Sequence, residues 1–229
     1  MNKMGQSDVA GASYKRGQWN ATMTKPVLYG FPASTFSQTA ALALVEKGVN
    51  FEMVSPDLEQ LDYRTLHPFS KVPVLRHGNV TVCETLAIAT YVDENFPGPS
   101  LQPTGIARYQ HIEWISFYLD YFVAAILNAS VRERFVRPIF GGVVDKEAVS
   151  RAIPDMTRCI EVLRDRLSRN HFVAGDQIGI ADFLFVPTIL YFSQTPEGKK
   201  LLGTAHSVGE WVNVMKRRPS VRTVCMSQA

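Results

Sequence analysis

Three short segments carry side chains that could handle a polar small molecule. In Gly30-Phe31-Pro32-Ala33-Ser34-Thr35-Phe36-Ser37, three hydroxyls crowd the start of a helical pattern. Thr35, with Gln38 three residues on, fits a capping box that would leave the Ser34 hydroxyl uncommitted just outside the helix. First-turn amides and the helix dipole favour an anion there, and a bound thiolate would use both. A Ser34 that only caps the helix fits the same residues, because serine is a common cap.

The second segment is Lys71-Val72-Pro73-Val74-Leu75, where a proline enters what otherwise reads as a strand. A cis bond before Pro73 would turn the Val72 amide and carbonyl outward, ready to pair with an extended peptide. The third is Cys83-Glu84-Thr85. Glu84 could bind an ammonium group while Thr85 and neighbouring amides receive a carboxylate, which together describe the head of an amino acid. Plain capping is again the alternative.

These segments need a scaffold, and hydropathy patterning supplies one. Val27-Leu28-Tyr29 reads as a buried strand closed by Gly30 and Pro32. Phe36, Ala40, Ala43 and Leu44 then recur at helical spacing over 35–47, with Gly48 as the stop. A strand at 51–54 follows, then a short helix opened by Pro56-Asp57 and closed before His67-Pro68. Val72–Leu75 and Val80–Cys83 flank His77-Gly78-Asn79 as a hairpin, and a helix runs over 85–94. This order predicts a small mixed sheet with helices on its faces, a thioredoxin-like domain over 26–95.

Residues 96–103, FPGPSLQP, read as a linker, and residues 104–220 as an all-helical domain. Ile112, Ile115, Leu119, Phe122 and Ile126 trace the buried stripe of one long helix over 104–136. A second helix at 145–167 holds Pro154, which predicts a kink or break. An almost wholly apolar helix at 180–191 belongs at the centre, and 210–217 makes the last helix. Residues 1–25, polar and basic, read as a disordered head, and 221–229 as a tail. Apolar residues at 46% and charged residues at 20% exclude wholesale disorder and a coiled-coil rod.

The net charge of +3 is too slight to argue for a nucleic-acid or membrane partner. Cys83, Cys159 and Cys225 suit neither a disulfide framework nor a zinc site, and the five histidines show no metal spacing. No metal and a reducing, cytoplasmic setting are expected. No run approaches the eighteen or so apolar residues of a membrane span.

Four stretches in order, VLYGFPASTFSQTAALALVEKGVNFE, HPFSKVPVL, CETLAIATYVDENFP and HFVAGDQIGIADFLFVP, resemble the glutathione S-transferase family from about Pro26 to Pro219. Among subclasses the chain is most similar to phi-type and related bacterial serine enzymes. The resemblance implies a thioredoxin-like domain and an all-helical domain paired as a homodimer, with glutathione as co-substrate and a hydrophobic electrophile. It implies that Ser34 donates to the glutathione sulfur, with Tyr29 as the runner-up donor. It further implies that Val72, before a cis Pro73, pairs with the cysteinyl backbone, that Glu84 and Thr85 hold the γ-glutamyl head, and that Lys71 helps with the glycyl carboxylate.

The electrophile pocket is expected at Pro32, Ala33, Phe36, Tyr118 and Phe122, with Arg132, Arg134 and Arg137 able to steer an anionic substrate. Phe69 is a candidate plug into a partner subunit. Two departures stand out. The stretch 54–67 is shorter than in phi-type members and lacks their His-Lys pair, and Gly179 occupies the place of the usual Ser or Thr cap before Asp182. The expected activity is thiol conjugation, with hydroperoxide reduction as a possible second reaction. A narrower glutathione-dependent enzyme and a non-catalytic binding module on the same fold are the alternatives.

Overall fold

The computed structural model describes residues 24–60 and 62–226. Nearly all of the expected head, 1–23, and the last three residues of the tail lie outside the described residues. The chain builds four strands, β1 Val27–Tyr29, β2 Glu52–Val54, β3 Val74–His77 and β4 Val80–Cys83, in the order β2-β1-β3-β4. β1 and β2 are parallel, joined by helix α1, Thr35–Glu46, while β3 pairs antiparallel with both β1 and β4. Parallel pairing requires a crossover, and α1 provides it. α2, Tyr63–Leu66, and α3, Thr85–Asn95, complete this half.

The short stretch after β2 turns without helix until Tyr63, so Pro56-Asp57 opens no helix of its own. β3 likewise starts at Val74, two residues later than the apolar run suggests, because Pro73 has no amide to give a ladder.

The helical half begins with α4, one continuous helix from Ile106 to Ile139. It is long and apolar enough to cross a bilayer by length and composition, unlike the sequence reading, but half of its most apolar window is buried within this chain. Its buried stripe is Trp114, Ile115, Tyr118, Phe122 and Ile126, whereas Ile112 and Leu119 face outward. The aromatic residues took the inner face. α5, Lys146–Leu167, runs unbroken through Pro154. α6, Ile180–Phe192, is buried on all sides as its composition predicts. α7, Pro196–Leu202, was not legible as a helix, and α8, His206–Arg217, starts earlier than expected. A last turn, α9, Pro219–Val221, runs on through Arg222–Met226.

Two polar ties join the halves and a third fixes the linker between them. Thr39 Oγ1 donates to the Phe183 carbonyl of α6 at 2.8 Å. The buried Lys47 ammonium reaches the Asp93 carboxylate at 3.1 Å and the Pro99 carbonyl at 3.0 Å, while Asp93 also receives the Leu101 amide. Glu46 takes a two-pronged bond from Arg218 and another from Ser220. Lone polar groups in such places would be costly, so the network fixes which faces meet.

Asp182 anchors the start of α6. Its carboxylate accepts from the amides of Val173, Ala174 and Gly179 and from Trp211 Nε1, at 2.8 to 3.2 Å. Burial pushes this carboxyl up to about 6, against the pull of those donors. The structure also explains Gly179. A Cβ there would stand 2.8 Å from the Leu101 carbonyl oxygen and 2.9 Å from Cε1 of His111. The Leu101 carbonyl and the His111 ring thus fill the room that a side chain on the cap would need.

His111 is fully buried and neither ring nitrogen has a hydrogen-bond partner among the described residues. Burial, helped by Arg108, drives its pKa down to about 4 from 6.5. The ring is neutral in the folded chain, so its contribution to stability is full above pH 6.5 and is lost as pH falls toward 4. The shift corresponds to about 3 kcal/mol. Burial is the largest single influence on Glu46 and Glu197 and raises them, but their arginine and serine partners together hold both below the usual carboxylate range, so their linkage acts below about pH 4.5. Asp182, raised to about 6, acts with the opposite sign in the same window, so the loss of stability between pH 7 and 4.5 is expected to be smaller in His111→Leu than in the parent, and an equal loss in both would contradict the assignment.

Candidate active site

Strand register gathers the three segments. Tyr29 in β1 pairs with Val74 in β3, and Val74 pairs with Cys83 in β4. Ser34 follows β1, Val72 and Pro73 precede β3, and Glu84 follows β4, so all three lie off the same end of the sheet. Adjacent strands are about 4.8 Å apart, which puts the row within about 10 Å, the reach of an extended tripeptide.

Ser34 is itself the helix cap. Its backbone is extended, its carbonyl accepts the Gln38 amide at 2.8 Å, and its Oγ accepts the Ser37 amide at 3.3 Å. This corrects the expected capping box. Thr35 is the first helical residue, and the Gln38 side chain turns back to donate to the Pro32 carbonyl at 2.8 Å. Capping uses an oxygen lone pair, so the Ser34 hydroxyl proton remains free to donate. Ser34 is half-buried, as a group that meets a ligand must be.

The Val72-Pro73 bond is cis. Pro73 is buried, Val72 is partly exposed and Lys71 is exposed, with the Lys71 carbonyl held by Tyr63 Oη at 2.8 Å. Glu84 has a positive φ of 73° and Thr85 opens α3. The Thr85 hydroxyl reaches the Phe36 carbonyl at 3.5 Å, joining α3 to the first turn of α1. Tyr29 packs edge-on against Tyr63, the behaviour of a strand residue.

The pocket residues divide. Pro32, Ala33 and Phe36 present surface beside Ser34. Tyr118 is fully buried, its hydroxyl 2.7 Å from Thr188 Oγ1 and its ring edge-on to Phe36, and burial pushes its phenol up to about 12. It supports the wall from beneath and has no face left for a ligand. Phe122 is buried as well, against Phe185. Phe122 also lines a cavity of about 480 Å³ between α4 and α5, with Phe117, Tyr121, Ala152, Cys159 and Arg158. No residue of the Ser34 loop lines that cavity. Arg134 is committed to Glu197 and Arg137 to Glu133, which leaves Arg132 as the one of the three with an exposed position and no ion pair in the described set. Two contributors escaped the sequence reading, the Gln38 tether and His67, which lies 3.5 Å from the Glu84 carboxylate.

Residues 28–100 match the family model for the glutathione S-transferase N-terminal domain and residues 115–219 that for its C-terminal domain. Glutathione S-transferase F6 of Arabidopsis thaliana is 30% identical over 209 residues, spanning 86% of this chain and 97% of the relative. The chain belongs to the glutathione S-transferase family. A solved glutathione S-transferase III in its apo form is 28% identical and superposes with a TM-score of 0.82 over 89% of this chain and 97% of that one. Glutathione S-transferase I from maize, solved with an atrazine glutathione conjugate, is 26% identical with a TM-score of 0.81, over 90% and 100% of the two chains. The transferase fold is therefore shared along essentially the whole described chain.

In this transferase the Gln38 tether fixes the loop that carries Ser34, while its Oε1 is buried without a partner among the described residues. Gln38→Leu removes one hydrogen bond and one unpaired acceptor together, so stability should move by only about 1 kcal/mol. Turnover is expected to fall several-fold as the loop loosens, with thermal midpoint and rate measured on the same preparation. Unchanged turnover would remove the tether from the account.

Proposed function

We propose that this glutathione S-transferase activates the thiol of glutathione through Ser34, acting as a serine-type, phi-like enzyme. A free thiol with a pKa near 8.5 is mostly protonated at neutral pH, and the thiolate is the nucleophile. The Ser34 hydroxyl donates to the sulfur, the first-turn amides of α1 add their dipoles, and the thiol proton passes to solvent. The thiolate then forms a carbon–sulfur bond to an electrophilic carbon as the leaving group departs with the bonding pair. On a hydroperoxide the same thiolate would take the terminal oxygen, becoming the sulfenic acid as the O–O bond breaks and the alkoxide takes up a proton to leave as the alcohol, and a second glutathione would then displace water to give the disulfide.

In this reading Val72 pairs with the cysteinyl backbone, Glu84 and Thr85 hold the γ-glutamyl head, and Lys71 meets the glycyl carboxylate. The electrophile rests on Pro32, Ala33 and Phe36, with Tyr118 and Phe122 as backing. The observation that carries the reading is the strand row Tyr29, Val74, Cys83, because it brings three separate segments to one end of the sheet. The family relation favours an enzyme over a non-catalytic module. The three cysteines are all unpaired, which supports the cytoplasmic, reducing setting.

The enzyme is further proposed to work as a homodimer. Phe69 stands 75% exposed on the loop before Lys71, and the apolar cavity between α4 and α5 is a receptor of suitable character on a second copy. Phe69→Ser should shift sedimentation toward the monomer at micromolar concentration, and an unshifted profile would remove Phe69 from the interface.

The donor assignment has its own test. Hydrogen bonds to charged groups are worth about 1.5 to 3 kcal/mol, so Ser34→Ala should raise the pKa of bound glutathione by about 1 to 2 units. Thiolate absorbance titration reads this directly, and kcat/KM with an aromatic halide should drop about ten- to a hundredfold. An unmoved thiol pKa would exclude Ser34 as the donor.

A further inference from the structure

His67 is 2% exposed, and its role is set by what each ring nitrogen faces. Nδ1 accepts the backbone amide of Phe69 at 3.1 Å. A nitrogen that accepts an N–H carries a lone pair, so the proton of the neutral ring sits on Nε2. Nε2 lies 3.5 Å from Oε1 of Glu84. The ring itself is fixed from behind, because the His67 backbone closes α2 through the Tyr63 carbonyl and receives the Ser70 amide.

Glu84 needs such a partner. Its backbone occupies the left-handed region at φ 73°, and its side chain is 70% exposed, with no hydrogen bond from its own helix. A free carboxylate of this kind samples many rotamers, and binding an ammonium group would have to freeze them. A buried ring nitrogen 3.5 Å from one carboxylate oxygen is close enough to favour one orientation beforehand and leave the other oxygen for the ligand.

We propose that His67 is a positioning residue of the glutathione site: its buried Nε2–H orients the Glu84 carboxylate to receive the γ-glutamyl ammonium. The inference rests on the reading that Glu84 holds that ammonium. It assigns His67 no contact with the substrate and no part in the chemical step.

Two conservative variants separate the two ring nitrogens. His67→Asn keeps an acceptor where Nδ1 stands and so preserves the Phe69 contact, but it cannot reach Glu84. His67→Gln places an amide N–H near the position of Nε2 and gives up the Phe69 contact. The measurements are KM for glutathione, kcat at saturating glutathione and the thermal midpoint, with Glu84→Gln and the double variant His67→Asn/Glu84→Gln alongside.

The expected pattern is a KM for glutathione raised about three- to tenfold in His67→Asn, with kcat and the midpoint near the parent values. His67→Gln should bring KM back toward the parent even though its midpoint falls. The double variant should bind no worse than Glu84→Gln alone. An unchanged KM in His67→Asn overturns the inference, as does an equal rise in both His67 variants, which would mark a purely structural role. If Glu84→Gln itself leaves KM unmoved, the reading of Glu84 fails first. If only Glu84→Gln raises KM, that reading stands and the role of His67 falls.

Discussion

A thiolate is an expensive group to hold in a partly desolvated cleft, and a protein that holds one must aim dipoles at it without supplying a proton it can keep. A helix start capped by a hydroxyl does this. The cap's oxygen is used up by a backbone amide while its hydrogen is left over, and the amides behind it add their own field. Ser34 has this arrangement, and the geometry around it keeps the loop still. Gln38 grips the Pro32 carbonyl, the Ser34 carbonyl grips the Gln38 amide, and Thr85 closes α3 onto the same first turn.

That loop is only as well placed as the sheet beneath it, and the sheet depends on the helical half. α1 is buried between the strands and α6, and polar residues along it and at its end are tied down, Thr39 by Phe183 and Glu46 by Arg218 and Ser220 across the boundary, and Lys47 by Asp93 and Pro99 at the junction with α3 and the linker. Breaking one partner of such a pair leaves a buried group unsatisfied, so the halves have one favoured docking rather than several. The start of α6, beside the Phe183 carbonyl that Thr39 reaches, is held by Asp182. The helix capped by Ser34 is thus braced on both sides.

Much of this was legible in the sequence. The strands, α1, α3 and the apolar α6 follow from alternation, helical spacing and glycine or proline stops, which are local signals. The cap was misplaced by one residue because Thr35 with Gln38 mimics a capping box, and nothing local shows that the Gln38 side chain prefers the Pro32 carbonyl. Tyr118 read as a pocket residue because aromatic spacing does not distinguish a wall from its foundation. α7 was missed because its signal is brief: Thr195 caps it and Pro196 starts it, but seven residues give no periodicity. His67 could not be found from spacing at all. Its importance comes from Glu84, seventeen residues on, and from a backbone amide two residues away. Gly179 was visible as a departure, while its cause, the Leu101 carbonyl and the imidazole of His111, needed the packed structure.

The account stands or falls on where the sulfur goes. A crystal of the protein soaked in reduced glutathione measures this directly. The account predicts the tripeptide extended across the ends of β1, β3 and β4, with its sulfur within hydrogen-bonding distance of Ser34 Oγ. A sulfur seated against Tyr29, or a ligand lodged in the cavity between α4 and α5 with this groove empty, would contradict it.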